Sequence, residues 1–192
     1  MSTFTISKGF TAQYDLITGE SPEVERQSKH LSQMRGMFAD ADALEAAIAK
    51  EDAVMYDVFP IKPPADGGDL ASGTSILYPG KIGEEYYFTK GHFHNILMTA
   101  EVYFGMAGEG LMLIENKEGD WDTLPITPGA TVYVPKGYAH RTVNTGSAAL
   151  VTYFCFRSDA GQDYGSIEKK GYRKLIVERG GKPAVIDNPR WA

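Results

Sequence analysis

Short apolar segments separated by Gly and Pro turns run through most of this chain after residue 53. Each segment is rich in Val, Ile, Tyr or Phe and ends at turn-forming residues, which is the pattern of β-strands. The predicted strands cover residues 54–59, 74–78, 85–89, 101–104, 110–115, 131–134, 148–156, 172–178 and 184–187. The last two segments flank two glycines and are predicted to form a hairpin. Many short strands at close spacing indicate an all-β sandwich or a jelly-roll barrel.

The pattern before residue 51 is different and predicts one helix over residues 40–50. Three apolar residues share one helical face there, namely Leu44, Ala47 and Ile48. Either Asp40 or Asp42 is suited to cap the first turn. We therefore expect one compact domain, in which residues 1–50 form an N-terminal extension with this helix and residues 51–192 form a β-barrel.

Composition and charge narrow the classes of partner. The chain has 192 residues, of which 43% are hydrophobic, and a formal net charge of −6. Such a charge argues against nucleic acid or an anionic membrane as a partner, but it leaves room for a small anionic ligand. Cys155 is the single cysteine, so no intramolecular disulfide can form, and we expect it to be a buried strand thiol. With no apolar run long enough for a signal peptide or a membrane span, we expect a cytoplasmic protein.

Three of the four histidines form a candidate metal site together with one carboxylate. His92 and His94 are two residues apart, so on a strand both face the same side. Glu101 lies beyond a short connection, and His140 belongs to a distant segment. Imidazole and carboxylate ligands suit a single divalent transition metal such as Fe²⁺, Mn²⁺, Ni²⁺ or Zn²⁺. The interior of a β-barrel is where such residues converge.

The segment around His140 resembles the second motif of the cupin family at every fixed position. Those positions are Gly129, Pro135, Gly137, His140 and Asn144. The end of the first cupin motif is matched by Glu101 and Gly108. Six residues separate the second histidine from Glu101, where three or four are usual in cupins, and Tyr86 stands where a glycine is usual. The resemblance implies a single-domain cupin jelly-roll barrel.

A closer resemblance explains these departures. Blocks similar to the cupin-type glucose-6-phosphate isomerases, best known from archaea, extend from about residue 10 to residue 191. They are residues 77–81, 89–94, 100–103, 132–135, 139–144, 159–161, 163–165 and 187–191. The resemblance implies an isomerase that interconverts glucose 6-phosphate and fructose 6-phosphate through a cis-enediol, and it favours Fe²⁺ or Mn²⁺. A proton must move between C2 and C1, and Glu101 is the candidate base.

Binding to a cation makes a carboxylate a poorer base, so for the base role we expect Glu101 to loosen from or leave the metal when substrate binds. Two alternatives stay open: Glu101 is a ligand only, or a metal-assisted hydride shift replaces proton transfer. The sequence does not choose between them.

The phosphate and hydroxyl groups of the substrate require hydrogen-bond donors. Candidates for these contacts are Tyr56, Ser75, Thr89, Gly91, Tyr103 and Tyr164, with Tyr133 as either a contact or part of the core. By strand alternation we expect Lys90 to be solvated and Arg141 to point away from the site. The resembled family commonly has tyrosine where Phe156 stands and histidine where Gln162 stands, so a hydroxyl contact and a titrating group are absent.

Several functions share this ligand set. The alternatives are an isomerase for another sugar phosphate such as mannose 6-phosphate, a cupin dioxygenase, and a non-catalytic sugar-phosphate-binding cupin. The third gains support from Phe156 and Gln162. The resemblance also implies a homodimer, in which a short strand predicted at residues 3–6 would lie across the partner subunit.

Overall fold

Antiparallel sheets account for almost all of the regular structure. The computed structural model describes residues 8–63 and 68–191, so the strand predicted at residues 3–6 lies outside the described residues. The strands are β1 (Gln27–His30), β2 (Val54–Ile61), β3 (Leu70–Leu77), β4 (Lys81–Ile82), β5 (Glu85–Tyr86), β6 (Glu101–Ala107), β7 (Gly110–Asn116), β8 (Trp121–Ile126), β9 (Thr131–Val134), β10 (Tyr138–Asn144), β11 (Leu150–Arg157), β12 (Lys174–Arg179) and β13 (Lys182–Asp187). The helices are α1 (Ala41–Lys50) and α2 (Gly165–Lys170), with 3₁₀ turns at Leu31–Met34, Ser158–Ala160 and Pro189–Trp191.

The strands form three sheets among the described residues. One has the order β1-β2-β3-β11-β6-β9, a second has the order β10-β7-β8, and a third has the order β13-β12-β5-β4. Buried side chains from the first two sheets belong to one apolar core, including Met55 and Val132 from one and Met112 and Val143 from the other. This arrangement confirms the predicted all-β fold, a cupin jelly-roll barrel with a short N-terminal helical segment.

The helix predicted at residues 40–50 is confirmed as α1. The Asp40 carboxylate caps it by accepting a hydrogen bond from the Ala43 N–H at 2.9 Å. Leu44 is buried, and Ala47 and Ile48 are partly buried against the core. The division at residue 50 into an extension and a barrel stays a prediction.

The fixed residues of the cupin motif have structural tasks. Gly129 and Gly137 adopt left-handed backbone conformations, with φ of 87° and 85°, in the turns that precede β9 and β10. The Asn144 side chain is fully buried. It donates hydrogen bonds to the Leu77 and Ala148 carbonyls and accepts one from the Gly146 N–H. This motif therefore fixes the loop after β10 and the position of that strand relative to β3.

The predicted hairpin near the C-terminus is confirmed, and five elements were missed. Strands β12 and β13 turn at Gly180 and Gly181, both with positive φ. The predicted strands and helix do not include β1, β4, β8, β10 or α2. Strand β8 contains Pro125 and lies at the edge of its sheet with mostly exposed side chains, so it lacks the alternation that marks a half-buried strand.

Two sequence expectations concern polar groups on the strands. Cys155 is only half-buried, because it faces the outer side of its sheet beside Val102, so the expectation of a buried thiol is wrong. Arg141 does point away from the histidine cluster, as predicted. Its guanidinium lies between the rings of Phe88 and Tyr172, at 4.1 Å from each centroid. No helix in the described part of the chain is long and apolar enough to cross a membrane.

Candidate metal centre

The structure brings the four predicted ligand residues together inside the barrel. His92 and His140 form an isolated antiparallel bridge, with the two N–H···O contacts at 3.4 and 3.2 Å. Glu101 begins β6, paired with Val134 on one side and Phe156 on the other. All four side chains are buried, and one ligand atom from each lies within 4.8 Å of the others. Their roles as ligands stay a prediction, but their positions are those that a single ion requires.

Hydrogen bonds prepare His94 to present its Nε2 atom to the centre. Its Nδ1 lies 2.7 Å from Thr99 Oγ1 and 3.2 Å from the Thr99 carbonyl. Because the Thr99 hydroxyl already donates to the Ile96 carbonyl, Nδ1 is the donor in this contact and carries the proton. The unprotonated Nε2 lies 3.1 Å from Glu101 Oε2. Such a partner on the far side of a metal-binding imidazole fixes its tautomer and its orientation.

The other two imidazoles have buried nitrogen atoms without hydrogen bonds. His92 Nε2 and both ring nitrogens of His140 have no hydrogen-bond partner in the structure. His140 Nε2 is nevertheless 3.0 Å from Glu101 Oε2, close but not aligned for a hydrogen bond. Buried polar atoms are rarely left unpaired, and each exception needs an explanation. A divalent ion within this cluster would bind one nitrogen of each ring, including His92 Nε2 and one nitrogen of His140, so the residues present fit a metal.

The electrostatics of the cluster favour the metal-binding protonation states. Burial, reinforced by His140, lowers the pKa of His92 to about 3, so its imidazole is neutral at physiological pH. Burial opposes ionisation of Glu101, yet the interactions of its carboxylate with the surrounding imidazoles, His140 above all, outweigh burial and lower the pKa of Glu101. A neutral imidazole and an ionised carboxylate are the forms that ligate cations.

A cavity of about 110 Å³ opens beside this cluster and reaches the surface. The six predicted substrate-contact residues all line it: Tyr56, Ser75, Thr89, Gly91, Tyr103 and Tyr164. They come from β2, β3, β6 and two irregular segments, so only the tertiary fold brings them together. Their contact with a substrate stays a prediction.

The hydroxyl groups around the cavity differ in whether they already have hydrogen-bond partners in the protein. Ser75 Oγ is buried and has no partner. Thr89 Oγ1 accepts a hydrogen bond from the Thr142 N–H at 3.0 Å. Tyr103 donates to Glu101, and Tyr164 Oη donates to Gln162 Oε1 at 2.8 Å. The hydroxyl of Ser75 can therefore meet a ligand without breaking an existing contact.

Gly91 occupies a place that no other residue would fill without strain. Its φ is +74°, and a Cβ there would lie 2.6 Å from Tyr172 Oη and 3.0 Å from the His140 carbonyl oxygen. The same backbone turn carries the chain from Thr89 to His92. This glycine therefore lets the backbone run close behind the ligand residues.

The segment after β11 closes one side of the cavity. The backbone of Asp163 exchanges hydrogen bonds with Phe93, at 2.7 and 3.1 Å, between the two histidines of the first pair. Tyr164 consequently lies over His92, with ring centroids 5.3 Å apart. The aromatic ring of Phe156 stacks on His94 at 5.7 Å. An apolar ring thus stands where the resembled family has a phenol.

Two sequence expectations about the site are wrong, and some residues were missed. Lys90 was expected in solvent, but it lines the cavity and is ion-paired to Glu168. Tyr133 belongs neither to the core nor to the cavity, because 59% of it is exposed. Sequence reasoning also missed Thr99 and Thr142. A hydroxyl two residues before the carboxylate was the only available signal for Thr99, and it is not specific.

The family model and the curated relatives agree on one family, whereas the solved structures are only distantly similar. Among solved structures, an oxalate oxidase is 16% identical with a TM-score of 0.48, covering 59% of this chain and 56% of its own. The Glucose-6-phosphate isomerase (GPI) family matches residues 28–191. Curated relatives bear the name "Glucose-6-phosphate isomerase". The protein from Thermococcus gammatolerans is 45% identical over 183 residues, which are 95% of this chain and 96% of the relative. That from Sinorhizobium medicae is 39% identical, covering 93% and 86%.

Proposed function

The chain belongs to the glucose-6-phosphate isomerase family, and on that premise we propose that it interconverts glucose 6-phosphate and fructose 6-phosphate. The observation that carries the proposal is the buried cluster of His92, His94, Glu101 and His140 at the end of a cavity lined by hydroxyl groups. A metal-assisted aldose–ketose isomerisation needs such a centre beside donors for sugar oxygens. The agreement of the family with the geometry supports the assignment.

The four ligand residues would hold one divalent transition metal. When bound, such an ion supplies Lewis-acid stabilisation of the negative charge that develops on the sugar oxygens. We favour Fe²⁺ or Mn²⁺, with Zn²⁺ or Ni²⁺ as alternatives, because mixed imidazole and carboxylate ligands suit all four. The preference rests on the sequence resemblance.

Glu101 is our candidate for the base that carries a proton between C2 and C1 through a cis-enediol. Among the residues that the structure describes, it is the only carboxylate lining the cavity. Tyr103 donates a hydrogen bond to it, which restrains the carboxylate. A hydride shift between the two carbons is the alternative, in which Glu101 serves only as a ligand. The six hydroxyl, phenol and backbone groups described above would orient the substrate.

A homodimer is our proposal for the assembly. Its support is an apolar patch on the outer side of β6 and β9, formed by Val102, Phe104 and Tyr133, which we call the outer patch. These residues are 37%, 43% and 59% exposed. Strand β9 is also the edge of the six-stranded sheet, and an exposed edge invites pairing with another chain.

Cytoplasmic glycolysis and gluconeogenesis are the proposed setting, because they are where glucose 6-phosphate and fructose 6-phosphate are interconverted. The single cysteine, Cys155, is consistent with a reducing compartment. The proposed partner is the small sugar phosphate. The net charge of −6 argues against nucleic acid or a membrane surface.

A coupled assay for glucose 6-phosphate formed from fructose 6-phosphate tests the proposal. We expect turnover that is abolished by a chelator and proceeds without oxygen consumption. Formation of mannose 6-phosphate instead would move the assignment to another sugar phosphate. Tight binding of fructose 6-phosphate without turnover would favour the non-catalytic alternative, which the apolar Phe156 and the non-titrating Gln162 make worth testing.

A further inference from the structure

Lys90 is the only lysine or arginine among the residues lining the cavity in the described part of the chain. Its side chain is 22% exposed, and its ammonium pairs with the carboxylate of Glu168 on α2. The ammonium also lies over the ring of Tyr164, 5.0 Å from its centroid. Lys90 therefore differs from a solvated surface lysine, because its ammonium has defined partners at the wall of the cavity that contains the metal cluster.

The backbone around Lys90 is held in place by its neighbours. The backbone N–H of Lys90 donates a hydrogen bond to the phenol oxygen of Tyr56. On one side the Thr89 N–H donates to the Thr142 carbonyl at 2.9 Å, and on the other the left-handed turn at Gly91 is closed in by Tyr172 and His140. With its backbone fixed at both ends, Lys90 can move its ammonium only by rotating its own side chain.

The phosphate of a sugar phosphate carries close to two negative charges at neutral pH. The donors that sequence analysis proposed for it, Ser75, Thr89 and the Gly91 N–H, are all neutral. The imidazoles are committed to the metal cluster. Hydrogen bonds from a charged donor to a phosphate are about twice as strong as those from neutral donors. Lys90 is the available charge near these groups.

The charges of the residues at the outer end of the cavity also favour an anionic ligand. A second cavity shares Tyr56, Phe156 and Tyr164 with it, and the wall of this outer cavity includes Lys29 and Lys62. Among the residues that the structure describes, no aspartate or glutamate lines this outer cavity. On a chain with a net charge of −6, such a lining selects for anionic ligands.

We propose that Lys90 is the cation that binds the substrate phosphate, and that Glu168 is its counter-ion only while the site is empty. The phosphate displaces the Glu168 carboxylate, which is half-exposed and can return to solvent. The proposal rests on the proposed function for the identity of the ligand. It assigns Lys90 a binding role for which strand alternation gave no indication.

Two variants with opposite expected effects test whether the substrate phosphate replaces Glu168 as the partner of Lys90. In Lys90→Gln we expect KM for fructose 6-phosphate to rise at least about tenfold, with kcat changed by less than about threefold, because a charged hydrogen bond remote from the reacting carbons is lost. In Glu168→Gln we expect KM to fall about two- to fivefold, because an exposed competing ion pair is removed. Binding of inorganic phosphate to the metal-loaded protein, measured by calorimetry, should change in the same two directions.

Lys169→Gln is the matched control. It makes the same change in net charge as Lys90→Gln and lies next to Glu168 on α2, but Lys169 is exposed and lines neither cavity. We expect its KM and phosphate affinity to stay within about twofold of the original protein. Melting temperatures show whether each variant is folded, and Glu168→Gln alters only an exposed side chain, so it tests the proposal even if Lys90→Gln is unstable.

Unchanged phosphate affinity in Lys90→Gln would overturn the proposal, as would weaker binding in both variants, which would indicate a purely structural ion pair. Failure of the original protein to bind phosphate would overturn it too. Failure of the proposed function is distinct. It would appear as no turnover of fructose 6-phosphate by the original protein, while phosphate binding and its dependence on Lys90 persist.

Discussion

At the scale of single residues, the metal cluster depends on atoms that do not themselves face the centre. Thr99 is the clearest example, because it engages His94 Nδ1 through both its hydroxyl and its carbonyl oxygen. Removing such a partner from a metal-binding histidine typically lowers metal affinity by 10- to 100-fold. The ligand itself is left intact.

Thr99→Val should therefore weaken metal binding by about tenfold or more without abolishing it. Valine keeps the shape and removes the hydroxyl. Competition with a chromogenic chelator measures the affinity, and Thr99→Ser, which retains a hydroxyl, is the control. Equal affinity in the valine and serine variants would show that the hydroxyl does not orient His94.

Glu101 is placed to act both as ligand and as base, and one substitution separates the roles. Glu101→Gln keeps an oxygen that can face the metal but removes the charge and the basicity. We expect much of the metal to be retained, while kcat falls by about 100-fold or more, the usual contribution of a positioned base. Metal content by elemental analysis and turnover by the coupled assay check the two effects. Near-normal turnover would leave Glu101 as a ligand only and favour a hydride shift.

At the scale of elements, strand patterning predicted the framework and failed where the backbone is irregular. The positions of His92, His94 and His140 followed from alternation and from their spacing in the chain. The strand predicted at residues 85–89 ends at Tyr86, and only isolated bridges continue beyond it. Alternation therefore does not hold across Gly91, which is why Lys90 was placed on the wrong side. Local sequence also cannot reveal the approach of Asp163 to Phe93, because that contact is made by the tertiary fold.

Gly91→Ala tests whether the turn before the histidines must be left-handed and open. The strain of positive φ is about 1–2 kcal/mol, and the clash with Tyr172 Oη and the His140 carbonyl adds to it. We expect a loss of more than about 2 kcal/mol in the free energy of unfolding, with weaker metal binding as His92 shifts. Denaturant unfolding measures the first effect and chelator competition the second.

Gly180→Ala is the control that shows the effect of positive-φ strain without a clash of the added Cβ. Gly180 also has positive φ, 58°, but a Cβ there would meet no atom within 4 Å. We expect this variant to lose only about 1–2 kcal/mol and to bind metal normally. Similar losses in both variants would show that crowding behind the ligand segment is unimportant.

At the scale of the whole molecule, the net charge of the chain does not indicate the charge of the residues around the site. The chain carries −6 overall, yet its two adjacent cavities have Lys29, Lys62 and Lys90 in their walls, and Glu101 is the only acidic residue among the described residues that line them. Association with an anionic substrate depends on this local field, which falls off over about 10 Å at moderate ionic strength. The sequence alone could give the sum of the charges but not their placement.

The outer patch makes the proposed dimer testable. Phe104→Glu places a charge where the proposal buries an aromatic ring, so we expect sedimentation equilibrium to show monomers at concentrations where the original protein is dimeric. Val185→Glu is the control, because Val185 has similar exposure, 38%, on a different sheet. A monomeric original protein, or a dimer dissociated only by Val185→Glu, would contradict the proposed interface.

Titration of metal-stripped protein with Fe²⁺ or Mn²⁺, while the conversion of fructose 6-phosphate is followed, tests the account most directly. If His92, His94, Glu101 and His140 hold one catalytic ion, activity is absent at the start. It then rises in proportion to added metal and reaches its plateau at about one equivalent per chain. Full activity in the stripped protein, before any metal is added, would contradict the account.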